Sequence, residues 1–299
     1  MTGYDAVIIG AGPAGLNAAL VLGRCSRRVL LLDDDRPRNR VSQGIHGFIT
    51  RDGVLPDEFR RLGLEDVVNY PSIEICLSET VTDVDLCSGG FEVLTDKGRR
   101  AYARKVLLAT GVEDTLPEIP GFADFYGRGV YNCPYCDGWE QRGRKFVAYA
   151  PQNIGLDFAH QLTVWSGDVV LCTDGPSSFS TVERDSARKR GFAIEERRIL
   201  KIEGLDDRLT RICLYDGGSL ECDALFFMTG AQPRCEIADR LGCELTEKGV
   251  VRTKGNEKTN VPGFFVAGDA SRRVQFAIVA AAEGALAAFE INKQLLQDG

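Results

Sequence analysis

Apolar residues along this chain come in short runs that glycine and charged positions interrupt. Residues 4–9 (Tyr-Asp-Ala-Val-Ile-Ile) and 28–32 (Arg-Val-Leu-Leu-Leu) have the pattern of short buried strands. Between them, residues 14–22 place small and apolar side chains at helical spacing. A strand, a helix and a second buried strand in this order predict a parallel sheet and therefore an α/β fold.

The same alternation continues along the chain. We predict further strands at 73–77, 91–95, 105–109, 146–150, 168–172, 209–214, 223–229 and 263–267. We predict further helices at 153–165, 180–191 and 276–296. Residues 145–173 repeat the rhythm of residues 4–33, and no solenoid-type repeat is present in the sequence. The pattern indicates two nucleotide-binding-like units in one chain.

The composition is that of a globular protein, with 299 residues, 44% of them hydrophobic and 26% charged. Apolar runs such as 224–228 are too short to span a bilayer, so no membrane is expected. Thirty-six basic against 43 acidic residues argue against general binding of nucleic acid. The first residues lack the pattern of a secretory signal, and a cytoplasmic location is therefore expected.

A glycine-rich motif follows the first predicted strand directly. Gly10, Gly12 and Gly15 occupy G-x-G-x-x-G, with Pro13 and Ala14 inside it. The first glycine permits a tight turn, the second lets a pyrophosphate approach the backbone, and the third permits close packing of helix on strand. The motif predicts a dinucleotide site, with a purely structural turn as the alternative.

A carboxylate ends the second predicted strand. Asp33 lies there, where it can accept both hydroxyls of a ribose and repel a 2′-phosphate. Arg38 and Asn39 follow in the next loop, from which they could reach the pyrophosphate. The alternative for these two is that they are ordinary loop residues.

Cysteine usage indicates redox chemistry. Ten cysteines without a secretory signal are typical of a reducing compartment, in which most thiols stay free. Cys133 and Cys136 form the only C-x-x-C, which is typical of a redox or a metal site. The only two histidines, His46 and His160, are distant from it in sequence, so we favour the redox interpretation and expect no metal.

The C-x-x-C segment has the pattern of a helix start. Pro134 suits the first helical turn, where the helix dipole and free amides stabilise a thiolate. The spacing allows a disulfide across one turn. Asp137 follows directly and is a candidate proton donor or acceptor. The alternative is a pair of incidental loop cysteines.

Five segments together resemble the low-molecular-weight thioredoxin reductases over essentially the whole chain. The segments are Gly10-Ala-Gly-Pro-Ala-Gly15, Ala109-Thr-Gly111 with Ile119-Pro-Gly121, Cys133-Pro-Tyr-Cys-Asp-Gly138, Val266-Ala-Gly-Asp269 and Gln275-Phe-Ala277. The resemblance implies two Rossmann-like domains, the second inserted in the first. Residues 1–112 and 231–299 would form an FAD-binding domain, and residues 113–230 a central domain that carries the C-x-x-C. It also implies a homodimer and a thioredoxin-like protein or a small dithiol or disulfide as partner.

The resemblance also assigns roles to individual residues. Cys136 would exchange electrons with the flavin, Cys133 would attack the partner disulfide, and Asp137 would protonate or deprotonate the interchange thiol. The positions assigned to FAD are Gly10, Gly12, Pro13, Ala14, Gly15, Asp33, Arg38, Asn39, His46, Val81, Ala109, Thr110, Gly111, Gly268, Asp269, Gln275, Phe276 and Ala277.

Some of these assignments have an independent physical reason. Gly268 permits a tight turn at a strand end, and Asp269 can accept a hydrogen bond from a sugar-alcohol hydroxyl, with a helix N-cap as its alternative role. The dipole of the helix predicted at 276–296 would favour electron density on the pyrimidine edge of the flavin. His46 lies in a loop expected near the flavin, either as a catalytic imidazole or as a structural histidine.

The central domain departs from its NADPH-dependent relatives. Their second glycine loop corresponds here to Ala150-Pro-Gln-Asn-Ile-Gly155. Ala150 and Gln152 stand where the first two glycines belong, and Pro151 removes an amide donor. Asp174 follows the next strand, where it would repel a 2′-phosphate. We therefore predict no functional NADPH site, with an unorthodox loop for NADH as the alternative.

Without NADPH, electrons must enter or leave by another route. The match is nearest to NADPH-independent thioredoxin-reductase-like flavoproteins, some of which take electrons from ferredoxin, whereas others oxidise small dithiols with oxygen. The sequence is also compatible with an ordinary NADPH-dependent reductase and with a flavin-carrying sensor without turnover. Because ferredoxins are acidic, Arg142, Arg144 and Lys145 beyond the dithiol are candidate contacts, with a solvated face as the alternative.

Overall fold

The computed structural model describes residues 3–151, 154–206, 208–247, 249–272 and 274–298. By their contacts these residues divide into two compact units. The terminal unit comprises Met1–Arg40, Gly47–Glu113 and Gln232–Gly299, and the central unit comprises Val41–His46 and Asp114–Ala231. The short segment Val41–His46 thus belongs to the central unit, although it lies within the range that the sequence assigns to the FAD-binding domain.

Strands and helices alternate along most of the chain. In order they are β1 (Tyr4–Ile9), α1 (Pro13–Arg24), β2 (Val29–Leu32), α2 (Pro56–Val68), β3 (Ile73–Cys76), β4 (Val81–Cys87), β5 (Gly90–Thr95), β6 (Arg100–Leu108), β7 (Val112–Asp114), β8 (Val130–Tyr131), α3 (Pro134–Gln141), β9 (Phe146–Tyr149), α4 (Gly155–Leu162), β10 (Val169–Cys172), α5 (Thr181–Lys189), β11 (Phe192–Glu195), β12 (Ile199–Leu205), β13 (Arg208–Leu214), β14 (Ser219–Glu221), β15 (Ala224–Phe227), β16 (Ala231–Pro233), α6 (Ile237–Arg240), β17 (Phe264–Val266) and α7 (Ala277–Gln297).

The terminal unit is built on a sheet in the order β3-β2-β1-β6-β5-β4, with β17 also paired to β6. Strands β3, β2, β1, β6 and β17 are parallel, whereas β4, β5 and β6 form antiparallel pairs. Every residue of β2 is buried because helices or strands cover both faces of the parallel part. Ile9 pairs with both Leu32 and Leu108, so the loops that follow β1, β2 and β6 leave the same edge of the sheet.

Helices α1 and α7 pack closely, and small residues allow them to do so. Ala18 and Ala19 of α1, together with Ala287 and Ala288 of α7, are fully buried in one core cluster. A Cβ at Gly284 would lie 2.0 Å from the carbonyl oxygen of Ala14. The two backbones are therefore in direct contact at this point.

The central unit has a parallel sheet in the order β11-β10-β9-β15-β8, and β12, β13 and β14 form a second, antiparallel sheet. Phe146 pairs with Val169 on one side and with Ala224 on the other, so β9 lies between β10 and β15. Both units thus contain a parallel β-α-β arrangement, and the prediction of a mixed α/β fold with two Rossmann-like units is confirmed.

Several elements differ from the sequence-based prediction. The helix expected at 153–165 is limited to Gly155–Leu162 among the described residues, and the strand expected at 223–229 to Ala224–Phe227. Helix α2 was missed because it buries only Pro56 and Val67 and lacks a continuous apolar stripe. Strand β12 was missed because Ile199 and Ile202 are its only buried residues. None of the described helices has the length and apolarity needed to cross a membrane.

We predict that Gly284→Ala destabilises the terminal unit. The new methyl group would collide with the Ala14 backbone, and the strain should exceed the gain in helix propensity and cost roughly 1–3 kcal/mol. Thermal unfolding monitored by circular dichroism measures the effect. Val68→Ala, at an exposed position of α2 in the same unit, is the control and should change the melting temperature little. Equal melting temperatures for both variants would contradict this account of the α1–α7 contact.

Candidate functional site

The glycine loop after β1 has the geometry of a phosphate cradle. Gly10 has φ +106°, and a Cβ there would lie 2.4 Å from the carbonyl oxygen of Ala109. A Cβ at Gly15 would lie 1.8 Å from the carbonyl oxygen of Gly10. Gly12, by contrast, faces open space and is the N-cap of α1, with no side chain capping the helix. Packing therefore requires Gly10 and Gly15 to be glycines. Gly12 leaves the N-terminus of α1 open to a ligand.

Asp33 is more heavily engaged than the sequence suggests. One of its carboxylate oxygens accepts the Ala11 N–H at 2.5 Å, and the other accepts the Asp35 N–H at 2.9 Å and Arg60 Nη2 at 2.6 Å. A carboxylate has about four acceptor positions, so three internal bonds leave room for one ribose hydroxyl and not for two. Arg60, on the missed helix α2, is the partner that the sequence alone did not reveal.

Three of the predicted cofactor positions meet in one hydrogen-bonded group. Arg38 Nη1 donates to Asp269 Oδ2 at 3.0 Å and to Gln275 Oε1 at 2.7 Å. A Cβ at Gly268, which has φ +78°, would lie 3.2 Å from the Ala14 Cβ. The loop that carries Asp269 is therefore held against the start of α1, although Arg38 and Asp269 are more than 200 positions apart in sequence.

The remaining predicted positions of the terminal unit lie at element ends. Ala109, Thr110 and Gly111 follow β6, and Gly111 has φ +68°. Phe276 is the N-cap of α7, and Ala277 is the first residue of that helix. Two others are less distinctive, since Val81 is buried at the start of β4 and Asn39 is half-buried in a short 3-10 turn.

A buried ion-pair network supports the Asp269 loop. Glu283 of α7 accepts the Gly268 N–H at 2.8 Å and also binds Arg272 Nε at 2.5 Å. Arg272 in turn donates two hydrogen bonds to the buried Glu257. Burial raises the pKa of Glu283, with the Gly268 N–H opposing that shift. A glutamate within an alanine-rich helix was the only indication in the sequence that this network exists.

The C-x-x-C lies at the N-terminus of α3 in the central unit. Cys133 is the N-cap, Pro134 is the first helical residue, and Cys133 and Cys136 form a disulfide with their Cα atoms 5.3 Å apart. A Cβ at Gly138 would lie 2.9 Å from the Trp165 ring, so this glycine lets α3 pack against the indole. The predicted disulfide across one helical turn is therefore present.

Asp137 lies in an unusual electrostatic environment beside the disulfide. Burial raises its pKa to about 7, and the negative charge of Glu140 adds to the effect while His46 opposes it. His46 Nε2 lies 3.7 Å from Glu140 Oε1. The structure thus places His46 in the central unit with Glu140, whereas the glycine loop and Asp269 belong to the terminal unit.

The loop after β9 is the counterpart of the glycine loop after β1, and side chains pack closely around Gly155 at its end. Ala150 is fully buried, and a Cβ at Gly155 would lie 2.9 Å from the Ala150 Cβ and 2.4 Å from Leu171. Asp174 accepts the Ile199 N–H at 2.7 Å and the Tyr149 hydroxyl at 3.3 Å. Gln152 lies outside the described residues. Packing alone therefore accounts for the glycine that this loop retains.

Asp137 should make stability depend on pH. Its folded-state pKa lies above the 3.8 of an ordinary aspartate, so its contribution is fully present below about pH 4 and is lost as the pH rises through about 7. In Asp137→Asn the side chain stays neutral, and the stability of the variant relative to the wild type should rise between about pH 5 and about pH 8. Urea unfolding at both pH values measures this.

The control for that comparison is Asp124→Asn, which changes an exposed aspartate of the same unit. Its stability relative to the wild type should follow no such trend. A difference between Asp137→Asn and the wild type that stays constant with pH would show that Asp137 is ionised throughout.

Comparisons with known proteins agree with the fold and with an oxidoreductase of the thioredoxin reductase type. The profile of the pyridine nucleotide-disulphide oxidoreductase family matches residues 4–284. The thioredoxin reductase tcpT of Claviceps purpurea is 33% identical over 98% of this chain and 95% of its own length. The thioredoxin reductase sirT of Leptosphaeria maculans is 31% identical over 98% and 94%. The crystal structure of a putative thioredoxin reductase, TrxB, from Bacillus anthracis superposes with a TM-score of 0.93 at 34% identity, covering 98% of this chain and 99% of that one. The chain therefore belongs to the pyridine nucleotide-disulphide oxidoreductase family and is a thioredoxin-reductase-like oxidoreductase.

Proposed function

We propose that this protein is an FAD-dependent thiol–disulfide oxidoreductase that exchanges electrons with a dithiol or disulfide partner without a functional NADPH site. The observation that carries the proposal is the Cys133–Cys136 disulfide at a helix N-terminus beside Asp137, whose pKa burial raises. A structural disulfide needs no neighbouring acid whose pKa is close to 7. A redox pair does need one, because thiols gain and lose protons as the disulfide opens and closes.

The terminal unit has the residues to hold FAD. A pyrophosphate fits the open helix N-terminus at Gly12, since no side chain caps it. Asp269, held by Arg38, would accept a hydroxyl of the ribityl chain, and Asp33 would accept one hydroxyl of the adenosine ribose. When bound, FAD supplies the capacity to take up or give away an electron pair.

The chain's own residues carry the sulfur chemistry. In the reduced state, the Cys133 thiolate attacks one sulfur of a partner disulfide, forms a mixed disulfide and releases the first partner thiolate. Cys136 then attacks Cys133, which restores the Cys133–Cys136 disulfide and releases the second partner thiolate. Two partner thiols form for each protein disulfide made. Asp137 provides a proton to a leaving thiolate, and in the opposite direction it accepts one.

The residues of the loop after β9 and the packing of Gly155 support the absence of an NADPH site. The Ala150 Cβ occupies the position of the first loop glycine, and Pro151 lacks an amide hydrogen with which to bind phosphate. Asp174 presents a carboxylate where NADPH would bring its 2′-phosphate. The one retained glycine, Gly155, is needed for packing against Leu171 and gives no support to a nucleotide site.

The partner that we propose is a thioredoxin-like protein or a small dithiol or disulfide, since tcpT and sirT are thioredoxin reductases by name. Ferredoxin is the alternative electron donor. Lys145 pairs with Glu221, so of the three basic residues beyond the dithiol it is the least available for an acidic partner. The guanidinium carbon of Arg142 lies 4.0 Å from the centre of the exposed Trp139 ring.

The cellular compartment that we propose is the cytoplasm. Eight free cysteines fit a reducing compartment of this kind.

The source of electrons can be tested with the flavin-loaded protein under anaerobic conditions. We expect dithiothreitol to bleach the flavin rapidly, because it can reduce the Cys133–Cys136 disulfide, and NADPH to leave the flavin absorbance unchanged. Stopped-flow absorbance measures both reactions. Rapid bleaching by NADPH would defeat the proposal and indicate an ordinary NADPH-dependent reductase.

The direction of electron flow can be tested in air with a small dithiol. Stoichiometric oxygen consumption would show that electrons pass from the dithiol to oxygen, as in an oxidase.

Cys136→Ser provides the matched control. The variant should lose rapid bleaching by dithiothreitol while dithionite, which reduces flavin directly, still bleaches it. When a small disulfide is supplied instead of dithiothreitol, Cys133 of the variant should attack it, release one thiolate and remain in a mixed disulfide that mass spectrometry detects. If the variant exchanges with dithiol partners as fast as the wild type, the dithiol is not the redox centre.

We also propose a homodimer that uses the outer face of α7. Leu286, Phe289 and Leu296 are exposed at spacings of three and seven residues, with Lys293 between them, which forms an apolar seam along the helix. Phe289→Asp should therefore give a monomer of 32.7 kDa in light scattering after size exclusion. Val164→Asp, at an exposed apolar residue of the central unit, is the control and should leave the mass unchanged. An unchanged mass for Phe289→Asp would exclude this face.

A further inference from the structure

Two loops of the central unit meet at the carboxyl ends of β10 and β11. Ser177 lies in the loop between β10 and α5, Arg184 lies on α5, and Glu196 directly follows β11. In a dinucleotide-binding β-α-β unit, the residues that follow the second strand contact the adenosine ribose and any phosphate on it. Strand β10 is the second strand of the unit β9-α4-β10, so this corner corresponds to that position.

Several hydrogen-bond donors converge there on one carboxylate. Arg184 Nη1 donates to Glu196 Oε2 at 2.8 Å, and Arg184 Nη2 donates to Glu196 Oε1 at 3.0 Å. The Ser177 N–H and hydroxyl donate to the same Oε1 at 2.8 and 2.5 Å. Arg184 Nη2 also reaches the Ser177 hydroxyl oxygen at 3.2 Å. A bidentate guanidinium, a backbone amide and a hydroxyl thus surround a single anion.

Proteins use the same donor set for phosphate as for carboxylate. Arginine forks bind carboxylate and phosphate in the same bidentate geometry, and a loop amide with a serine hydroxyl completes many phosphate sites. The donors hold Glu196 firmly in its ionised form, since hydrogen bonds from Arg184, then from Ser177, lower its pKa to about 2. The carboxylate therefore stays in the corner across the physiological pH range.

The other acidic residues nearby have partners of their own. Asp174 accepts the Ile199 N–H and the Tyr149 hydroxyl, and Glu195 pairs with Arg197 at 2.6 Å. Glu196 is the carboxylate that Arg184 and Ser177 bind. The corner is therefore a complete anion-binding set whose anion is supplied by the chain itself.

We propose that Arg184 and Ser177 form a latent phosphate-binding site and that Glu196 occupies it as an internal substitute for a nucleotide phosphate. The inference rests on the proposed function and deepens it, because it names a residue that excludes a phosphorylated nucleotide from the central unit. Glu196 acts as a specificity-determining residue: it takes up the donors that a 2′-phosphate would require and adds a repelling charge.

The alternative role of these contacts is structural, as a link between α5 and the end of β11. A structural link predicts that replacing Glu196 lowers the stability of the protein and leaves its affinity for phosphate unchanged. A latent site predicts in addition that an external phosphate binds once the carboxylate is gone. The two roles are separated by binding measurements, and a melting curve for each variant shows whether it has folded.

The test compares Glu196→Ala and Glu196→Gln with the wild type, each as flavin-loaded protein. The probes are 2′-AMP and adenosine, titrated by calorimetry. We expect Glu196→Ala to bind 2′-AMP at least about tenfold more tightly than the wild type does, with little change for adenosine. Glu196→Gln keeps the side-chain volume, so it provides a second variant should Glu196→Ala fail to fold. It should bind 2′-AMP with an affinity between those of the wild type and Glu196→Ala.

Glu195→Ala is the matched control, since it removes one negative charge from the neighbouring residue and leaves Arg184 and Ser177 bound to Glu196. The double variant Glu196→Ala, Arg184→Ala should lose the gained affinity. The proposal is overturned if folded Glu196→Ala binds 2′-AMP no better than Glu195→Ala, or if the double variant keeps the gain. Bleaching of the wild-type flavin by NADPH would defeat the proposed function instead, and these binding comparisons would still decide the role of Glu196.

Discussion

Direct backbone contact around the first glycine loop is the constraint on which the terminal unit depends. Gly15 approaches the Gly10 carbonyl, Gly10 approaches the Ala109 carbonyl, and Gly284 approaches the Ala14 carbonyl, each at a distance that leaves no room for a Cβ. These contacts bring β1, β6 and α7 to one point at the start of α1. The same point receives the loop of Asp269, through the contact of Gly268 with Ala14. Packing of the protein backbone therefore brings several of the predicted cofactor positions together.

The local pattern of apolar and small residues was sufficient to predict the strands and helices that this packing requires. It was not sufficient to predict which charged side chains bind to one another. The strand before Gly10, the helix after it and the long C-terminal helix all have apolar periodicity or small residues that can be recognised within a short window. Arg60 and Glu283 could not be found in this way, since their partners lie 27 and 15 positions away and depend on tertiary structure. Long-range ion pairs carry no periodic signature in one sequence.

Buried and half-buried carboxylates of the two units lie in different electrostatic environments. Glu283 and Glu257 share Arg272, so their charge is compensated and they hold a loop in place. Asp137 has no guanidinium among its dominant electrostatic neighbours, and burial leaves it easy to protonate near neutral pH. The C-x-x-C-D motif could be recognised in the sequence, whereas the proximity of His46 and Glu140 could not, because the segment that carries His46 is separated from α3 by more than eighty residues. The environment, and not the residue type, therefore gives these carboxylates their different pKa values.

Gly155 illustrates how core packing can by itself require a glycine at a position usually named for a ligand. The space beside it is taken by the Leu171 side chain and the Ala150 methyl group, so any larger residue would be excluded even in a protein that never met a coenzyme. The requirement for glycine at this position therefore does not depend on the residues that occupy the rest of the loop. A search that scores the third glycine of such loops therefore measures the architecture of a β-α-β crossing as well as any capacity to bind a coenzyme.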